Sequence, residues 1–243
     1  MPAVLRFAIA ASDHSKLSCA SFPVGFLIER VRPCHQVQFV ARCWRQPFAI
    51  RTMSGIEWVY PPAVTGNQHE LSLPEALADV LLIGFEWEWD EETNKARGCD
   101  FELYEAFEVP TVTAWWLRQW TGNPEVDGSE FRFFGTTGAG DYTGFWLVRP
   151  GEPITDQPVI YLGSEGQRSV VARDLGELLC LFAAGYGPAE AVESFGSAQE
   201  PNVAFRAIAE RYAPGRDLLI EQIVSVAQSE FPHFTDYIDA LCR

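Results

Sequence analysis

The sequence predicts an α+β fold, an antiparallel sheet packed against helices with a C-terminal helical extension, and three observations carry that prediction. Residues 131–182 read FRFFGTTGAGDYTGFWLV, a polar gap, PVIYLGSEGQRSVVAR and DLGELLCLF, which is strand, glycine-rich turn, strand, loop, strand, turn, strand and amphipathic helix. Upstream, Leu73, Leu77, Val80 and Leu81 recur at helical spacing. Downstream, helical patterns are broken by Pro214-Gly215 and Pro232.

Each element has a local reason. Pro74 suits the first turn of a helix, and Gly84 ends the pattern. Residues 85–90 then alternate aromatic and acid, so Phe85, Trp87 and Trp89 fall on one strand face and Glu86, Glu88 and Asp90 on the other. Residues 99–107 are expected to return as the partner strand, with 94–98 as the turn. Such a hairpin sets Asp100 or Glu102 beside Glu86 and Glu88, a repulsion that Lys95 and Arg97 relieve in part.

A short helix is expected over residues 113–121, capped by Thr113 and stopped by Gly122, with Trp115, Trp116 and Trp120 as core residues under a sheet. Asp174 caps the next helix, whose Leu175, Leu178, Leu179 and Phe182 share one side, with Gly185 as terminator. Three further helical pieces follow at 203–212, 218–231 and 234–241.

Charge bounds the function. Of 243 residues, 18 are Lys or Arg and 33 are Asp or Glu, a net of −15, which argues against a nucleic-acid backbone or an anionic membrane as partner and favours a basic one. No stretch approaches the roughly 18 consecutive apolar residues of a membrane-spanning helix, so a soluble, cytoplasmic protein is expected. The six cysteines form no CxxC pair, and neither a zinc module nor a secreted disulfide framework is indicated.

The charge is uneven. Residues 1–52 hold seven Lys and Arg against two acids, a net of +5, while the remaining 191 hold 11 against 31, a net of −20. Three of the six cysteines also lie there, and Met53 is the only methionine after Met1. Three readings stay open for this segment: an extension upstream of a natural start at Met53, a targeting peptide, or a genuine domain element. The organisation expected is an atypical basic segment over 1–52, an α+β domain over 53–190 and a helical extension over 191–243.

No constellation for catalysis stands out. Residues 138–144 contain GxG, but the third glycine comes one position late and a strand follows, so the dinucleotide fingerprint is absent. Gly163-Ser164-Glu165-Gly166 places its serine one position too early for a nucleophile elbow. Paired carboxylates such as Glu86 and Asp141 suit acid–base work, yet an acid-rich chain supplies many such pairs. No catalytic residue, cofactor or metal site is assigned, and a binding protein is the first expectation. Glu165, between two glycines at a strand end, is the residue packing explains least. It is the first candidate for partner contact, with Asp141 and Tyr142 next, and the acids Glu86, Glu88 and Asp90 form a second candidate surface.

Taken in order, Leu73-Pro74, Phe134-Gly135, Gly140-Asp141, Pro158-Val159, Glu165 and the helix from Asp174 resemble the pattern of the SUKH superfamily over residues 73–188. The long stretch between the first helix and the Phe-Gly turn departs from that pattern, as does the helical tail. The resemblance implies an antiparallel sheet packed on helices, no enzymatic activity, and a role like that of the bacterial immunity proteins in the family, which bind and neutralise toxins. A basic toxin domain is the partner it implies. The alternatives are a hydrolase or sugar-active enzyme using Glu165 and Asp141, and a scaffold or regulatory protein without a toxin partner.

Overall fold

The computed structural model describes residues 71–90, 95–193, 199–216 and 219–243, together with the backbone of three N-terminal strands. Those strands are β1 (Leu27–Ile28), β2 (Phe48–Thr52) and β3 (Gly55–Val59), with β1 parallel and β3 antiparallel to β2. The rest of the basic segment, Met53 included, lies outside the described residues.

The centre is a five-stranded antiparallel sheet in the order β10-β9-β8-β7-β6. Its strands are β6 (Glu102–Leu103), β7 (Phe131–Thr136), β8 (Tyr142–Trp146), β9 (Val159–Leu162) and β10 (Arg168–Ala172). Four of the five are the strands expected from the sequence; short glycine-bearing turns join β7 to β8 and β9 to β10, and the expected loop, residues 147–158, joins β8 to β9. Helix α1 (Glu75–Ile83) precedes the sheet, α2 (Pro110–Thr121) interrupts it, and α3 (Leu175–Ala183) follows it. The chain then continues through α4 (Pro188–Glu193), α5 (Val203–Tyr212), α6 (Ile220–Glu230) and α7 (Phe234–Leu241). The fold is α+β.

Both sheet faces are buried, which explains why β9 is apolar at every position rather than at alternate ones. Val159 and Tyr161 face a core built with Leu77 and Val80 of α1, Leu178 and Phe182 of α3 and Phe205 of α5. Ile160 and Leu162 face a second core of Trp116 and Trp120 of α2, Phe131 and Phe133 of β7, and Phe234 and Ile238 of α7. Each fully buried large apolar side chain contributes roughly 1.5–3 kcal/mol of transfer free energy, so these two layers supply the main driving force. Trp116 and Trp120 stack at 5.8 Å, in the core position their spacing predicts.

The C-terminal helices are tied to this body by polar contacts as well as packing. Arg168 pairs with Asp239, Arg149 with Glu230, and the Asn123 side-chain amide donates to the Leu241 carbonyl at 2.9 Å. At the start of α3, Asp174 accepts the Glu177 N–H at 2.9 Å while Glu177 accepts the Arg173 N–H at 2.8 Å, a reciprocal cap that fixes where the helix begins.

Two expectations need correction. The acidic strand β4 (Trp87–Asp90) pairs with β5 (Lys95–Gly98), not with residues 99–107. Its backbone register sets Glu88 opposite Arg97 and Asp90 opposite Lys95, an acid-to-base register where the longer hairpin would have set acid against acid. Asp100 and Glu102 lie elsewhere: Glu102 opposes Thr136 in the main sheet, and Asp100 accepts the Gly138 N–H at 3.0 Å. Helix α2 begins three residues before Thr113, because Pro110 fills its first position without needing a side-chain cap; Gly122, at φ 68°, ends it as expected.

Candidate functional site

The turns joining β7 to β8 and β9 to β10 emerge at the same end of the sheet, since Tyr142 opposes Leu162 across the central strand pair. Asp141 fastens them together. Its Oδ1 accepts the backbone N–H of Ser164 at 2.7 Å and its Oδ2 accepts the Thr137 hydroxyl at 2.6 Å. With only 7% of its surface exposed, Asp141 is an internal clip rather than a free carboxylate.

Glu165, one residue beyond the clip, is exposed. Helix α4 brings Glu193 to the same place, where one of its carboxylate oxygens accepts the hydroxyl of the buried Tyr161 at 2.9 Å. Burial raises the Glu193 carboxyl above its ordinary range, and the charges of Asp141 and Glu165 push the same way against the hydrogen bond from Tyr161. One turn earlier on α4, Glu190 accepts the Asp100 N–H at 3.0 Å, and burial followed by the Asp100 charge raises it despite its backbone hydrogen bonds.

Five carboxylates thus share one sheet end: Asp100, Asp141, Glu165, Glu190 and Glu193. Among the described residues no ion pair engages any of them. Arg168, three residues from Glu165, is committed to Asp239 and to the Gly166 carbonyl. The result is a concentrated negative edge whose field is not cancelled locally. Comparison with family models finds no match, and no curated protein or solved structure matches the chain.

The sequence-derived candidates separate into three places. Asp141 and Glu165 come together at the sheet end. Tyr142 starts β8 beside them, but its ring turns to the opposite face, 3.9 Å from the Trp116 ring centroid and 5.2 Å from that of Phe133. Glu86 and Glu88 are exposed on the separate β4–β5 segment, and the side chain of Asp90 lies outside the described residues. Glu190, Glu193 and Asp100 were not singled out by the sequence. Only a helix prediction for Pro188–Glu193, with two acids three apart, would have signalled the first two.

Chemically, the edge offers hydrogen-bond acceptors and negative charge. Among the described residues no group of three or more His, Cys, Asp or Glu is arranged to hold a metal ion. A surface hollow of about 520 Å³ lies elsewhere, lined by Val148, Arg149, Pro150, Glu152 and Asp156. Among the described residues no helix is long and apolar enough to cross a membrane.

Proposed function

We propose that this chain is an intracellular, non-catalytic protein-binding domain of SUKH type, an immunity protein that neutralises a basic toxin by holding it against the negative end of its sheet. The observation carrying this reading is the set of five carboxylates at one sheet end without a cationic partner among the described residues. Each such acid left uncompensated destabilises the free protein slightly, and a basic partner removes that cost while gaining rate from steering. The excess of 20 negative charges beyond residue 52 extends the attraction over more than the contact itself.

Growth rescue tests it. Co-expression with a basic toxin encoded beside this gene should restore growth, and a Glu165→Lys, Glu193→Lys double variant should abolish rescue while keeping its circular dichroism spectrum. Binding of the purified pair should weaken as salt rises, chiefly through slower association. Rescue that survives both charge reversals would remove the edge from the interface.

A further inference from the structure

A further carboxyl group, on the other face of the sheet from the negative edge, is buried without a counter-ion among the described residues. Glu108 lies between β6 and α2, is 5% exposed, and donates its backbone N–H to the Phe133 carbonyl of β7 at 2.9 Å. Its Oε2 accepts the hydroxyl of Thr113, in the first turns of α2, at 2.7 Å. Among the described residues its buried Oε1 has no hydrogen-bond partner, and neither has the buried indole Nε1 of Trp116, one turn further along the helix.

Among the described residues the groups facing Glu108 offer no positive charge. From the β6 side comes the phenol of Tyr104, with Glu102 behind it; from β8 comes the phenol of Tyr142. Helix α2 presents Thr113 and Trp116, and β7 presents Phe133, none of which titrates. Burial raises the Glu108 carboxyl to about 8, with only the Thr113 hydrogen bond opposing it. The two phenols are raised as well, by burial first and then by Glu108.

A charged carboxylate in such a place lacks solvent and a cation and has only the Thr113 hydroxyl to offset its charge, whereas the neutral acid has no charge to compensate. We propose that Glu108 is a proton-operated latch: its neutral carboxylic acid lets α2 close against β7 and β8, and loss of the proton to solvent loosens the first turns of α2. The device is independent of the negative edge and stands whether or not a toxin is the partner.

The sign follows from linkage. When α2 opens, Glu108 meets water and returns to the ordinary glutamate range near 4.5. Between that value and about 8 the closed form holds a proton that the open form has lost. The opening equilibrium therefore grows about tenfold per pH unit across this window and is flat outside it.

Amide hydrogen exchange over residues 113–117 from pH 5 to 9, divided by intrinsic rates, reads this directly in the full chain. The expected result is the tenfold-per-unit slope in the wild type and its loss in Glu108→Gln, which keeps the acceptor for Thr113 but cannot ionise. The same slope in Glu108→Gln, or none in the wild type, overturns the latch. Should that variant fold poorly, a carboxyl carbon titration of the wild type decides: a Glu108 midpoint near 8 supports the proposal and one near 4.5 defeats it.

Discussion

The Asp141 carboxylate and the Ser164 backbone N–H, 2.7 Å apart, join two turns separated by more than twenty residues of chain. The contact is buried, so Asp141→Ala strands the Ser164 donor and should cost about 1–3 kcal/mol in urea denaturation. Thr137→Ala removes the second contact, and because both act through one carboxylate their effects should be non-additive by about 0.5 kcal/mol or more. Glu165→Lys, on an exposed residue of the same turn, should leave stability unchanged within about 0.5 kcal/mol.

At Gly135 there is no room for a side chain. A Cβ there would sit 2.3 Å from the Phe101 ring and 3.0 Å from the Glu102 carbonyl, beside the irregular register of β7. Gly135→Ala should destabilise by about 1–3 kcal/mol through overpacking. Adding Phe101→Leu should recover part of that loss; a full additive penalty in the double variant would show that backbone, not the ring, sets the cost.

Stability should fall with rising pH in a specific window. Glu108 is raised to about 8 in the folded chain against an ordinary 4.5, so over this interval the folded state binds a proton that the unfolded state has released. Its contribution is fully present below about 4.5 and fades by about 1.4 kcal/mol per pH unit until about 8. Chemical denaturation at pH 5 and pH 8 should show a larger drop for the wild type than for Glu108→Gln; equal drops would assign the dependence to other groups.

Two thiols should differ in reactivity. Cys99 is buried, donates to the Gly185 carbonyl at 3.0 Å, and is pushed up to about 12 by burial and then by Glu190. Cys180 is half-buried; burial raises it too, while nearby Arg216 partly offsets the effect. Iodoacetamide at pH 8, read by peptide mass spectrometry, should modify Cys180 at least about tenfold faster than Cys99. Comparable rates would mean that the Cys99 region opens readily.

Local signals in this chain set the structure wherever neighbouring residues alone decide it. Residues 131–182 form the expected strands because short apolar runs punctuated by glycine turns act over a few residues, and Val203–Tyr212 and Phe234–Leu241 are bounded by residues that end or cap a helix. The alternation over residues 85–90 marks a strand but does not choose its partner. A strand's period says nothing about which neighbour it chooses, and here the choice went to the register that opposes Glu88 to Arg97.

By itself, then, the sequence determined the α+β class, the four central strands, the cap at Asp174 and the excess of negative charge, all of which depend on neighbouring residues or on sums over the chain. Only the tertiary structure decided that Asp141 is a clip, that Glu193 of α4 joins Glu165, and that Glu108 is buried without a cation among the described residues. Those outcomes depend on distances between residues remote in sequence, and it is packing of both sheet faces, not any local preference, that sets them.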